Sequence, residues 1–214
     1  MLKRKKEVFE AIIALSLFWS ISQVVLAIFG EYVKSEIGVT NTIFVQGVMA
    51  LSVVGIIVGS IMAANFSTYY INSGFSALSA IGIFILLLLI PITTSSTFLG
   101  AEFILFGLFS GFLIVPLNAK IQKLSPNVHL GTILAGNNFI QTLFMFTFLM
   151  LTTLFAYFGT NAKVLFFIMA FVAFYLAYML FKRYLVMSFW ALCEIFFRTR
   201  YEFRYFGLES IPHD

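Results

Sequence analysis

The sequence predicts an all-α integral membrane protein whose six transmembrane helices form a 3+3 inverted repeat. Of its 214 residues 61% are hydrophobic and only 10% are charged, whereas soluble domains average roughly 25% charged residues. The mean hydropathy is +1.02, and six apolar segments approach or exceed the length of about 20 residues that a membrane-spanning helix needs. An interfacial helix and a short strand-like tail are predicted after the sixth segment.

The six predicted spans are separated by short connections that contain turn-forming residues. The spans comprise residues 8–29, 42–64, 74–92, 98–117, 132–157 and 163–181. Clusters of Asn, Ser, Gly and Pro at 72–74 and 125–127 interrupt the apolar pattern. Short connections predict that consecutive spans are antiparallel neighbours. The fourth span is expected to end or kink at Pro116, because proline cannot donate a backbone hydrogen bond.

Basic residues are distributed unequally over the ends and connections of these spans. One side carries eight of them: Lys3, Arg4, Lys5, Lys6, Lys120, Lys123, Lys182 and Arg183. The other side carries only Lys34 and Lys163. The positive-inside rule therefore predicts a multi-pass membrane protein with both termini in the cytoplasm. The charge of +4 is thus a topology signal, and we expect membrane lipids as partners and no nucleic acid.

The polarity of the spans repeats after the third one. The first and fourth contain polar or charged residues, the second and fifth contain small or amide residues, and the third and sixth are almost pure hydrocarbon. Two triplets of helices must run in opposite directions, which is the inverted repeat found in many secondary transporters. We expect the apolar third and sixth helices to face lipid.

Seven polar residues are candidates for the wall of a transport cavity: Ser16, Ser20, Gln23, Glu102, Asn118, Asn137 and Gln141. Ser16, Ser20 and Gln23 share one helix face. Glu102 is the only charge well inside an apolar segment, where a carboxylate is costly unless it is paired or hydrated. We predict that Glu102 faces this polar stripe. Hydrogen bonding between helices, or an interfacial position for Glu102, remains an alternative.

Four glycines are predicted to be helix-packing residues. Gly55 and Gly59 form a GxxxG pair on the second span, and Gly107 and Gly111 form another on the fourth. Glycine at this spacing allows the backbone of a second helix to approach closely. Contact with a ligand is the less favoured interpretation of these residues.

Residues 111–146, GFLIVPLNAKIQKLSPNVHLGTILAGNNFIQTLFMF, resemble bacterial lysophospholipid transporters of the major facilitator superfamily. In that family a Val-Pro-Leu-Asn-Ala run ends a helix, and a basic loop and a Gly-rich, Asn-containing helix start follow. Residues 115–119 and 136–138 match these features. The resemblance implies the carboxy-terminal six-helix half of a transporter that moves lysophospholipids across the bacterial inner membrane by alternating access. Its partner would be an amino-terminal six-helix half or a second copy.

The tail resembles the start of glycerophospholipid acyltransferase domains, which some bacteria fuse behind this transporter. Its sequence is TRYEFRYFGLESIP, and alternation at Tyr201, Phe203 and Tyr205 predicts a short strand. The expected organisation is a transporter half at 1–183, an interfacial amphipathic linker at 184–200 and the start of a truncated acyltransferase-like domain at 201–214. Since the His-x4-Asp motif of those acyltransferases is absent, this chain is not expected to be an enzyme.

Two other functions are compatible with the same residues. The chain would serve as a membrane anchor for a glycerophospholipid acyltransferase, or as a major facilitator transporter for another small solute. A simple anchor does not need Glu102 or the polar residues of the first span, so transport is preferred. No zinc-ligand spacing, phosphate-binding loop or nucleophile elbow occurs in the sequence. We therefore expect no metal and no cofactor.

Overall fold

The computed structural model describes residues 2–67 and 70–200, and these residues form six long helices and no strand. The helices are α1 (Leu2–Tyr32), α2 (Thr42–Phe66), α3 (Gly74–Leu89), α4 (Ser96–Leu124), α5 (Leu130–Tyr157) and α6 (Ala162–Arg200). All six are long and apolar enough to cross a membrane. This confirms the predicted helical class and the presence of six helices with the length and apolar character of membrane spans. The predicted strand-like tail, 201–214, lies outside the described residues.

Residues at the helix ends explain where several helices begin and end. A π-helical turn, Val33–Ile37, extends α1 and ends at Gly38, whose φ of +76° favours glycine. Asn41 caps α2, because its Oδ1 accepts hydrogen bonds from the backbone nitrogens of Ile43 and Phe44. These ends make the first connection only a few residues long.

The bundle is organised around α1. This helix packs against α4, α5 and α6, while α2 packs mainly on α4, and α3 packs on both α4 and α6. Large side chains of α1, including Leu15, Phe18 and Phe29, are fully buried. In the most apolar window of each helix, 72% of residues are buried in α1, against 28% in α2 and 6% in α5. The described chain thus leaves α2 and α5 largely uncovered.

The third helix lies inside the bundle, so the prediction that it faces lipid was wrong. In its apolar window 61% of residues are buried, and the corresponding value for α6 is 44%. Small residues on α3, including Ser76, Ala77 and Ala80, are completely buried. They allow neighbouring helices to come close. Ser76 Oγ also donates to the backbone oxygen of Leu113 on α4.

The fourth helix does not end at Pro116, which was the predicted boundary. α4 continues to Leu124, and Pro116 lies buried within it. The helix persists because the turns after the proline remain packed: Leu117 and Ile121 are both fully buried. Membrane helices tolerate an internal proline when the surrounding helices support it. Lys120 and Lys123 consequently lie on the last turns of a helix rather than in a loop.

Candidate functional site

The polar stripe predicted on α1 is only partly open. Ser16 and Ser20 are completely buried, and their hydroxyls donate to the carbonyl oxygens of Ile12 and Ser16 in their own helix. Gln23, on the same face, is exposed. Neighbouring helices therefore bury this face as far as Ser20 but leave it exposed at Gln23. Among the three, Gln23 has the side chain that is accessible to a solute, to lipid or to a partner.

Glu102, on α4, lies close to the carboxy-terminal end of α1 and away from the two buried serines. Its Oε1 accepts a hydrogen bond of 2.6 Å from Thr93 Oγ1, and the Thr93 carbonyl accepts one of 2.8 Å from Tyr32 Oη. Tyr32 is about 18 Å of helix rise beyond Ser20. We predicted that Glu102 faces the polar stripe of α1. Instead it belongs to a group with Thr93 and Tyr32. Its Oε2 is buried and has no hydrogen-bond partner in the described part of the chain.

The three other amide candidates, Asn118, Asn137 and Gln141, occupy α4 and α5. Asn137 is buried, and its Oδ1 accepts a hydrogen bond of 2.9 Å from Gln141 Nε2, one helical turn later. Asn118 is half-buried near the end of α4. No hydrogen bond in the described residues joins any of these side chains to Glu102 or Gln23. The seven candidates therefore form separate polar positions rather than one cluster.

The four predicted packing glycines face one another across α2 and α4. A Cβ atom at Gly55 would collide with the backbone oxygen of Ile104, and one at Gly107 would collide with that of Ser52. A Cβ at Gly59 would collide with the backbone of Leu108, and one at Gly111 with the backbone around Ser60. Because the obstacles are backbone atoms, the two helices approach as closely as glycine permits.

An ion-pair network joins α1, α4 and α6 at one end of the bundle, which we call the basic end. The basic end comprises the start of α1, the end of α4 and residue 183 of α6. Glu7 lies 3.3 Å from Lys120 Nζ and 3.0 Å from an Arg183 nitrogen, and Glu10 lies 3.0 Å from Arg183 Nε. Lys120 Nζ also lies 3.0 Å from the hydroxyl of Tyr184. Lys120 is the least exposed of these charges, with 12% of its side chain accessible.

Glu7 and Glu10 are not among the site residues predicted from the sequence. They lie among basic residues, which dominate the composition of the first ten positions. Their i, i+3 spacing places them on neighbouring turns of one helix face, and this spacing is the signal that was available. Their partners on α4 and α6 are distant in sequence, so only the tertiary structure identifies them.

A second polar contact ties α1 to α6 at the opposite end of the bundle. Glu36, in the π-helical turn, forms an ion pair with Lys163. Its other carboxylate oxygen accepts a hydrogen bond of 3.1 Å from Asn161 Nδ2. Since Arg183 binds Glu7 and Glu10 at the basic end, α1 and α6 are joined at both ends by charged groups.

The predicted linker continues α6 beyond a kink. Tyr184 has the non-helical angles φ −117° and ψ 26°, and helix resumes over residues 185–200. This segment packs on the start of α3, where Gly74 approaches the backbone of Met187 too closely for a Cβ atom. Glu194 accepts hydrogen bonds of 3.1 Å from Tyr70 Oη and Asn72 Nδ2. Many of its other side chains are exposed and apolar, including Phe189, Trp190 and Phe196.

Substitution of Gly74 by alanine should detach residues 185–200 from α3. The added Cβ would collide with the Met187 carbonyl, so the segment must move away. We expect a shift in Trp190 fluorescence and faster proteolysis around Arg200. Gly131→Ala is the control, because a Cβ at Gly131 has no atom within 4 Å. Identical fluorescence and proteolysis for Gly74→Ala and the parent chain would contradict this packing.

Comparison with protein-family models, with curated proteins and with solved structures gives no match to this chain.

Proposed function

We propose that this chain is one six-helix half of a lysophospholipid transporter of the major facilitator type. The half would work by alternating access, together with an amino-terminal six-helix half or a second copy of itself. One observation carries this proposal: the way in which the six helices pair.

The helix pairs are related by exchange of the two triplets. Consider exchanging α1 with α4, α2 with α5 and α3 with α6. The contact of α1 with α5 then becomes that of α4 with α2. The contact of α3 with α4 likewise becomes that of α6 with α1, and the pairs α3–α6 and α1–α4 map onto themselves. These are the six main helix contacts in the described residues. Such a scheme is expected of an inverted repeat, so it supports the 3+3 arrangement.

The burial of the helices follows the same order in both triplets. Buried fractions are 72%, 28% and 61% for α1 to α3, and 50%, 6% and 44% for α4 to α6. The middle helix of each triplet is thus the least covered. On α5 the exposed side chains Phe139, Leu143, Phe146 and Met150 form a continuous apolar stripe. We propose that the uncovered faces of α2 and α5 contact the second half of the transporter.

The substrate proposal is supported by the combination of polar and apolar exposed groups. A lysophospholipid needs polar groups for its head and an apolar flank for its single acyl chain. Gln23 and the partly exposed Glu102 supply polar groups on α1 and α4. Exposed apolar side chains on α2 and α5 supply the flank. The resemblance of residues 111–146 to lysophospholipid transporters favours this substrate over other amphipathic solutes.

The basic end is proposed to face the cytoplasm of a bacterial cell. Its described basic residues include Arg4, Lys5, Lys6, Lys120, Lys123, Lys182 and Arg183, whereas in the described part of the chain the opposite end carries only Lys34 and Lys163. Cytoplasmic connections are enriched in such residues. This distribution supports a location in the inner membrane with residues 2 and 200 on the cytoplasmic side.

Uptake of labelled lysophospholipid into cells that express the chain tests this function. We expect uptake above that of control cells, and Glu102→Gln should reduce it several-fold without loss of protein from the membrane, because a carboxylate kept within a membrane helix is costly unless it is used. Glu31→Gln is the matched control, since Glu31 is an exposed carboxylate at the same end of the bundle. Equal uptake by control cells and cells with correctly inserted protein would contradict transport by two copies of this chain.

A second candidate function is a membrane anchor for a glycerophospholipid acyltransferase. The observation that favours it is the continuation of α6, beyond the kink at Tyr184, through residues 185–200, whose exposed surface is rich in aromatic side chains. Such a surface suits the membrane interface and would hold a following domain close to lipid. Absence of uptake together with membrane insertion would favour this function.

A further inference from the structure

A groove at the basic end has an apolar floor and a basic rim. It lies between the start of α1, the end of α4 and the start of α5, and its cavity volume is about 590 Å³. Four residues with nitrogen-bearing side chains stand at the rim: Arg4, Lys5, Lys123 and His129. This volume falls within the range of about 300–1,000 Å³ that is typical of ligand pockets.

The floor of the groove is formed by side chains that cannot bind a charged group. Phe9 and Ile12 of α1 face Ile133 and Ile140 of α5 across it. Phe9 is 58% exposed, although it lies beside a largely buried part of α1. The groove therefore offers an apolar surface that the described chain does not cover, directly next to concentrated positive charge.

The acidic residues of the basic end do not line the groove. The nearby acidic residues, Glu7 and Glu10, are engaged by Lys120 and Arg183 in the ion-pair network. No acidic side chain lines the groove in the described part of the chain. The rim residues Arg4, Lys5 and Lys123 are exposed and form no ion pair with any described residue. An anionic partner would complement them.

We propose that this groove binds an anionic diacyl phospholipid from the surrounding membrane leaflet. The phosphate would contact Arg4, Lys5, Lys123 and His129, and one acyl chain would lie along the floor between α1 and α5. Arginine suits this role because its guanidinium donates two parallel hydrogen bonds to a phosphate. Each basic residue near an anionic membrane surface adds to the attraction. The site does not depend on whether the chain transports lysophospholipids.

The bound lipid would stabilise the attachment of α5. Among the long helices, α5 packs chiefly against α1 and is the least covered of the six. A lipid that touches residues of α1, α4 and α5 at once would connect the start of α5 to the rest of the bundle. We therefore expect anionic lipid to raise the thermal stability of the chain as well as to be retained by it.

Native mass spectrometry and thermal unfolding in detergent test the proposal with phosphatidylglycerol and phosphatidylcholine as probes. The parent chain should retain phosphatidylglycerol and unfold at a higher temperature with it, but not with phosphatidylcholine. Lys5→Gln/Lys123→Gln should retain phosphatidylglycerol at least about tenfold less, because two attractive charges are lost. The control pair Lys34→Gln/Lys182→Gln removes the same charge outside the groove and should behave like the parent.

Three results would overturn the proposal. Equal retention of the two lipids would mean that the phosphate charge is not recognised. An equal loss in both variant pairs would mean that attraction depends on net charge and not on the groove. Displacement of the lipid by millimolar glycerol phosphate alone would identify a site for a soluble anion. Circular dichroism of each variant shows whether it has kept its helices. Lys123→Glu offers a second test, because its carboxylate would repel the phosphate of phosphatidylglycerol.

Discussion

Replacing Gly107 by leucine should drive α2 and α4 apart and produce the largest loss of stability of any single substitution considered for this chain. A Cβ atom at this position would collide with the backbone oxygen of Ser52, and it would lie only 2.9 Å from the backbone nitrogen of Ile56. Backbone atoms of a helix cannot rotate away as side chains do. Overpacking in a core typically costs about 1–3 kcal/mol, and we expect at least the upper part of this range.

The measurement is the midpoint of thermal unfolding in detergent, together with the monodisperse fraction after purification. Gly47→Leu, on α2, is the matched control, because a Cβ at Gly47 meets no atom within 4 Å. Leucine also favours helix over glycine by roughly 0.5–1 kcal/mol, so this control should be neutral or slightly stabilising. A similar loss for the two variants would show that α2 and α4 do not meet at Gly107.

Replacing Arg183 by glutamine should loosen α6 from α1 at the basic end. Arg183 is within 3.0 Å of both Glu7 and Glu10, whose side chains are only 22% and 26% exposed. The variant leaves Glu7 with Lys120 alone, and Glu10 with only the longer contact of 4.0 Å to Lys6, in partly buried positions. Exposed ion pairs contribute about 0–1 kcal/mol, and loss of one partner from a buried pair costs about 3–5 kcal/mol. An intermediate loss of roughly 1–3 kcal/mol is therefore expected.

Lys182→Gln is the control for this prediction, since it removes the same charge from the neighbouring position but no ion pair in the described residues. Unfolding of both variants should be followed at low and high salt, because an ion-pair effect is weakened by screening. A loss of stability for Arg183→Gln that equals that for Lys182→Gln would mean that the network contributes only net charge.

Fold class and the number of helices are determined by composition and segment length. A run of apolar residues that spans the hydrocarbon region must form a helix, because its backbone polar groups have no water to bind. The breaks near residues 38–41, 72–74 and 159–161 were also readable, since each contains the turn-forming residues Gly and Asn. Helix ends were less predictable: α4 extends past Pro116 because the following turns remain packed.

The position of each helix in the bundle was not determined by its hydropathy. In water, apolar side chains are driven inside, but lipid chains are as apolar as leucine. Hydropathy therefore does not decide which helix is covered. The apolar α3 is largely buried, whereas α5, with Asn138 and Thr142 exposed, is the least covered helix. Small residues are a better guide than hydropathy here. The glycines of α2 and α4 mark the surfaces at which those helices meet.

For the polar residues, the sequence by itself determined which side chains are exceptional, and the tertiary structure decided what each one contacts. Glu102 stands out as a charge in an apolar segment, but its contact with Thr93 depends on how α4 follows the α3–α4 connection. The sequence does not indicate that Glu7 forms ion pairs, because its partners Lys120 and Arg183 lie on α4 and α6, far along the chain. Periodicity within a helix specifies a face, whereas the partner of that face is set by contacts between residues far apart in the chain.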